Sequence, residues 1–289
     1  MRVQRPHLEI VETTRTIDAA PHREVRWVTD RGELTESFVG EWQRERLVKR
    51  PDDYRILHRA FEGIGYTADS AAFLASEAAI GDGGITLGTL GWTPLRRTPL
   101  LQVQIDFAGP ERFALDVADR VPPLMDLLDL LGHLTLQKFR EAVKTPARYI
   151  KLWENLSIDM LGVRAFREQV VPMYGRILEI LEPAGKELLV HYDGKLRVIA
   201  GDIAALPLHI DSFTPSLPTL TSSAARVLGR PFLKDLVEQP LRADQFDSRP
   251  PRVSQPAEPL DPVSPLHRTQ VPPASTANPW STSSRTRLW

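Results

Sequence analysis

Glu154, His191, Asp193 and Asp211 each stand just past a short apolar run, in successive units of the chain. The runs are Arg148-Tyr-Ile-Lys-Leu-Trp153, Glu187-Leu-Leu-Val190 and Leu208-His-Ile210. A histidine with carboxylates suits a hard Lewis acid or a hydrolytic type of zinc site, and such a metal would polarise a bound oxygen or thiol. The same residues allow two other readings. Asp193 could orient His191 or cap the next helix at Gly194-Lys195. Alternatively His191 is a general acid or base, since its imidazole titrates near neutral pH and neighbouring carboxylates would raise its pKa.

These groups meet only if the apolar runs are neighbouring strands. A helical pattern separates the first two runs and a shorter one separates the last two. In a sheet of parallel strands joined by helices, the carboxyl ends converge on one rim. Phe166, Val170, Tyr174, Ile177, Leu178 and Leu181 mark the first connecting helix, interrupted at Pro172 and closed by Gly185. That is one βαβ unit, expected to be right-handed. The fold class read from this pattern is α/β.

Upstream, period-two patterns in His7–Val11, Arg23–Val28 and Glu33–Val39 flank Asp30-Arg-Gly32. They read as a β-hairpin decoration in which Gly32 takes the positive φ of a tight turn. Pro51-Asp-Asp-Tyr54 opens a helix that runs to about Phe61, and Asp69–Ala79 reads as another, ended near Gly81. Gly83–Gly91 lacks the order of a phosphate loop, and its apolar spacing suits a buried strand. At that strand's exit, Arg96 and Arg97 either grip a carboxylate or phosphate with bidentate forks or form a structural ion pair. Pro99–Ala108, Pro110–Asp119 and Pro122–Val143 look helical. The leucines of the last, from Leu124 to Leu134, form one apolar face that reads as core. His58 and His133 have no partner at metal-binding spacing and read as partly buried surface residues.

Composition excludes several classes. A chain of 289 residues with 42% hydrophobic content can bury a substantial core, and its net charge of -1 makes no electrostatic case for nucleic acid or an anionic membrane. No apolar run is long enough to span a bilayer, and Met1–Glu12 lacks the apolar core of a signal peptide, so a cytoplasmic location is expected. The absence of cysteine excludes disulfides, thiolate nucleophiles and thiolate metal ligands.

Taken in order, Trp153-Glu-Asn-Leu-Ser157, Val171-Pro-Met-Tyr174, Ala184-Gly-Lys186, Val190-His-Tyr-Asp-Gly-Lys-Leu196 and Ile210-Asp-Ser-Phe-Thr-Pro215 resemble the uroporphyrinogen decarboxylase-like superfamily. They look closer to its branch related to corrinoid-dependent methyltransferases than to the haem-pathway decarboxylases. Weaker similarity extends back through Arg97-Thr-Pro-Leu100 to the Gly32 hairpin. The resemblance implies a (β/α)8 TIM-barrel type of fold with its pocket at the carboxyl rim. It implies methyl transfer or decarboxylation on a corrinoid, tetrapyrrole or small methylated substrate. The catalytic residues expected are His191, Asp193 and Glu154, the same three being candidate ligands of zinc or another divalent metal. Arg97, Asn155 and Asp211 are the expected substrate contacts. His191 occupies the position of the methyltransferases' histidine in an H-x-C pattern, whereas Asp193 stands where their cysteine would be. The decarboxylases' arginine-rich N-terminal signature is absent. A small-molecule substrate or a corrinoid protein is the expected partner. The non-enzymatic alternative is an inactive relative that at most binds such a ligand or a partner.

The text changes character at Pro215. Thirteen of the 25 prolines fall at or beyond it, and only Ala224–Glu238 could form a helix, so 216–289 reads as a disordered tail behind a barrel domain over 1–215. The units needed to close a barrel are not visible there. A frameshift near Pro215 would explain the change, and a natural regulatory tail is the alternative. An unclosed barrel exposes strand edges and favours a homo-oligomer.

Overall fold

The computed structural model describes residues 1–90, 95–192 and 194–212, with Asp211 and Ser212 described by backbone alone. The boundary expected at Pro215 and the whole of the 216–289 tail lie outside the described residues.

The chain opens with β1 (Arg2–Gln4) and then an antiparallel meander of β2 (Glu9–Ile17), β3 (Ala20–Thr29), β4 (Gly32–Val39) and β5 (Trp42–Glu45). The expected hairpin is present. Gly32 has φ +137°, and the Thr29 hydroxyl accepts from the Arg31 N–H at 3.1 Å. The sheet exceeds the expected hairpin because β2 pairs with β3 along its whole length. Their turn uses Asp18 and Ala19 at φ 50° and 62°, positions that glycine or asparagine would have announced. Alternation along the strands buries Val25, Trp27 and Leu34 on the inward face.

Next come α1 (Asp53–Phe61), β6 (Gly65–Thr67), which pairs back with β1, and α2 (Ala71–Ile80), which ends at Gly81 with φ +51°. The Asp53 carboxylate accepts from the N–H groups of Lys49 (2.8 Å) and Arg50 (3.1 Å) and so fastens the segment that leads into α1. The strand expected across Gly83–Gly91 shrinks to β7 (Gly88–Thr89). Gly83 and Gly84 carry no side chain to bury, so nothing stabilises an extended segment there. Gly88 has a different role. A Cβ at Gly88 would lie 2.7 Å from Ala147 Cβ and 2.9 Å from Ile150 Cδ1.

The segment expected as a helix over Pro99–Ala108 is a short α3 (Pro99–Leu101) followed by a π-helical stretch, Gln102–Ala108, stopped by Gly109 at φ +78°. Then follow α4 (Pro110–Ala118), α5 (Pro122–Ala142), β8 (Tyr149–Trp153), α6 (Ile158–Leu161) and α7 (Val163–Ala165). A second π stretch, Phe166–Val170, runs without a break into α8 (Val171–Leu181), so Pro172 sits where the wider π turn gives way to the α-helix. The described chain closes with β9 (Glu187–His191), α9 (Ala200–Ala204) and β10 (His209–Ser212).

Strands β7 to β10 form one parallel sheet in sequential order, and the chain is a mixed α/β protein. Ile150 faces Leu188, Leu152 faces Val190 and Trp153 faces His191 across β8 and β9. Ile150, Leu152, Leu188, Val190 and Ile210 belong to the buried core together with Leu127 and Leu131 of α5 and Ile177 and Leu181 of α8. Tyr149, Lys151, Trp153, Leu189 and His191 alternate onto the other face. Among the described residues, no helix is long and apolar enough to cross a membrane.

Candidate functional site

The carboxyl ends of β8 and β9 meet through both backbone and side chains. Trp153 donates its N–H to the Arg96 carbonyl at 3.0 Å, while the N–H groups of Glu154 (3.1 Å) and Asn155 (3.2 Å) both bond the His191 carbonyl. Asn155 then turns the chain at φ +48°, a left-handed conformation that asparagine tolerates better than most residues. The Trp153 and His191 rings lie with centroids 4.9 Å apart and their planes tilted by 49°, and the Lys151 Nζ lies 3.7 Å from the centre of the Trp153 ring. An ammonium over an indole face is held electrostatically by the ring quadrupole. Both Trp153 and His191 are half-buried and so retain access to solvent.

Glu154 leaves the strand on the opposite side. It has no exposed surface, and its carboxylate accepts from the Thr98 hydroxyl at 3.1 Å and the Thr98 N–H at 3.3 Å. Tyr174 of α8 also bonds it, and the Tyr192 hydroxyl donates to that of Tyr174 at 3.1 Å. Burial pushes the Glu154 pKa up to about 7, against the opposing pull of Thr98 and Arg97. Tyr174 and Tyr192, also fully buried, are held far from ionisation by desolvation.

Lys138 of α5 joins this buried region, and the sequence reading did not single it out. Its side chain is wholly buried, and among the described residues neither its Nζ nor the hydroxyl of Thr135, three residues before it, has a hydrogen-bond partner. Burial pulls the Lys138 pKa down to about 7, while the charge of Glu154 acts in the other direction. A signal was available: Lys138 lies four residues past Leu134 and seven past Leu131, on the stripe read as core.

Of the expected ligand set, Glu154 and His191 are adjacent in backbone but not convergent in side chain. Asp193 and the side chain of Asp211 lie outside the described residues. Among the described residues, no group of three or more histidines and carboxylates could hold a metal ion. Arg97 makes an internal ion pair. It is 3% exposed, its Nε donates to Asp106 at 3.1 Å and its Nη1 to the Trp153 carbonyl at 2.6 Å. Arg96 bonds the same carboxylate at 2.9 Å. The side-chain carbonyl of Gln102 accepts from the Arg96 N–H at 3.0 Å, and its amide donates to Asp106 at 2.5 Å. Arg97 therefore ties the β7 exit to the end of β8.

The loop after β9 lies directly on the loop after β8. Ile158 donates its N–H to the Lys195 carbonyl at 3.1 Å, and Lys195 pairs with Asp159 at 2.6 Å. A Cβ on Gly194 would run into the Leu156 carbonyl and come within 2.6 Å of Ser157 Cα. The next helical turn starts at Arg197, beyond the Gly194-Lys195 position expected for a cap by Asp193. Compared with models of protein families and with curated proteins, the chain matches none.

Proposed function

We propose that this chain is a group-transfer protein of the uroporphyrinogen decarboxylase-like superfamily, built on a (β/α)8 frame. It would act on a corrinoid, tetrapyrrole or small methylated substrate at the carboxyl rim of its parallel sheet. The observation that carries this reading is the half-buried pair of Trp153 and His191 at the carboxyl ends of adjacent parallel strands, where open α/β sheets hold their ligands. The sequential order of β7 to β10 supports the frame. The half-buried indole offers an aromatic contact to a substrate, and the imidazole beside it is the group suited to move a proton. In a decarboxylation, His191 as imidazolium delivers the proton that replaces carbon dioxide on carbon. In methyl transfer to a thiol, His191 as imidazole accepts the proton that the acceptor loses.

Glu154, sealed behind Thr98 and Tyr174, acts as a positioning residue for the β8 exit. Because it turns away from His191, the described residues supply no complete ligand set for zinc or another divalent ion. A partner-borne corrinoid would be met by the same rim. The second reading, an inactive relative that binds a ligand or partner, is favoured by the engagement of both Arg97 and Glu154 in internal bonds. Purified protein incubated with uroporphyrinogen, or with methylcobalamin and a thiol, separates the two. Turnover abolished by His191→Ala at an unchanged melting temperature supports the enzyme. Absence of turnover with both substrate pairs, together with no bound metal lost on His191→Ala, supports the inactive relative.

A further inference from the structure

The inward face of the meander carries two residues that its pattern does not explain. Register pairs Arg23 with Phe38, Val25 with Glu36 and Trp27 with Leu34, so all six share one face of β3 and β4. Val25, Trp27 and Leu34 are core residues. Arg23 and Glu36 are charges at positions where alternation calls for apolar side chains. Both line a pocket of about 370 Å³, walled by the aromatic rings of Trp27, Phe38 and Phe107 and closed by Gln43, Gln102, Arg96 and Asp106. That size suits a small organic ligand.

The charges in the pocket are not equally satisfied. Arg96 and Arg97 share the Asp106 carboxylate, at 2.9 and 3.1 Å. Glu36 has no ion-pair partner among the described residues. Its bonds come from neutral donors, the Gln43 amide at 2.7 Å and Trp27, and burial holds its pKa above the ordinary carboxylate range. Among the described residues Arg23 makes an ion pair with Glu12 alone, at 3.7 Å and exposed enough to contribute little, and its guanidinium lies 4.1 Å over the Phe38 ring. Arg23 and Arg46 act on this half-buried carboxylate only through space, so an entering ammonium would give it a direct ion pair. The guanidinium beside it offers a fork to a carboxylate.

We propose that this pocket binds a small zwitterion with a flat apolar body, of the chemical class of an aromatic amino acid. The ligand's ammonium bonds Glu36, its carboxylate bonds Arg23, and its ring packs among Trp27, Phe38 and Phe107. The site asks nothing of His191 or Trp153, so it stands or falls independently of group transfer at the rim.

Titration calorimetry on the full chain tests it with three probes: phenylalanine, N-acetylphenylalanine, which lacks the cation, and phenethylamine, which lacks the anion. Saturable binding is expected for phenylalanine, with each of the other two weaker by about tenfold or more, the usual effect of losing one charged hydrogen bond. Glu36→Gln is expected to weaken phenylalanine by a similar factor, and Arg23→Gln likewise, with melting temperatures confirming that both variants fold. Lack of saturable phenylalanine binding overturns the proposal. So does either analogue binding as well as phenylalanine, or indifference of phenylalanine affinity to both substitutions.

Discussion

Glu154 and His191 share a backbone hydrogen bond of 3.1 Å, yet their side chains leave the sheet on opposite sides. The first lies under Thr98 and Tyr174, and the second against Trp153. Strand alternation accounts for this. His191 is in register with Trp153, so the residue after Trp153 projects the other way, as does Tyr192 after His191. The acid and the imidazole therefore belong to different environments, and each makes its own prediction.

Glu154→Gln should flatten part of the pH dependence of stability. The folded-state pKa, pushed up to about 7, lies above the ordinary carboxylate value, so the native state binds more protons than the unfolded chain between roughly pH 4.5 and 7. The contribution of Glu154 to stability therefore falls as pH rises through that window and levels off above it. Urea denaturation at pH 5 and pH 7.5 should show a loss on the order of 2–3 kcal/mol in the wild type that the variant lacks. An identical slope in both proteins would mean that the carboxylate is better compensated than its surroundings suggest.

Lys138→Met should stabilise the protein at neutral pH. The folded-state pKa of Lys138 is pulled down to about 7 by burial, so between pH 7 and the ordinary lysine range the unfolded chain holds more protons than the native one. Wild-type stability should rise with pH across that interval. Removing a buried amine that has no hydrogen-bond partner among the described residues, in favour of an apolar side chain of similar length, is worth about 1–3 kcal/mol. Calorimetry at pH 7 should register a higher melting temperature, and a lower one would reveal a bonded partner for the amine.

Arg97→Lys should behave as a structural lesion and not as a binding one. The guanidinium spans Asp106 and the Trp153 carbonyl, and a lysine cannot reproduce that fork. Asp106 keeps Arg96 and Gln102, which limits the cost to about 1–3 kcal/mol. A drop in the urea midpoint is the expected readout. An unchanged midpoint accompanied by weaker anion binding would restore the clamp reading of this residue.

Which parts of this architecture were legible depends on whether local or distant contacts decide them. The parallel strands announced themselves because Ile150, Leu152, Leu188 and Val190 sit in short apolar runs bounded by polar residues and glycine, and the Gly32 turn because a positive φ selects glycine. The Asp18-Ala19 turn was silent, since its residue types do not advertise the conformation that they adopt. At the site, strand-end placement was readable but side-chain direction was not. A one-residue offset between Trp153 and Glu154 decides which face each takes, and that depends on register with β9. Arg97 was ambiguous for a similar reason. Its partner Asp106 lies nine residues on, and the π-helical stretch carries both Asp106 and the Gln102 that bonds it.

Two glycines separate local packing from general helix chemistry. Gly194 lies on the backbone of Leu156 and Ser157, where any Cβ must displace main chain, so Gly194→Ala should cost about 1–3 kcal/mol and shift the loop that leaves β9. Gly175, inside α8, would present its Cβ to open space, and Gly175→Ala should stabilise by about 0.5–1 kcal/mol because alanine loses less entropy in a helix. Thermal denaturation of the two variants should move in opposite directions. If group transfer takes place at this rim, Gly194→Ala should also lower turnover beyond its effect on the folded fraction, whereas Gly175→Ala should leave turnover unchanged. A destabilising Gly175→Ala would show that α8 packs against a neighbour at that face. A neutral Gly194→Ala would show that the two rim loops do not touch, which would leave His191 without the support that the contact between them provides.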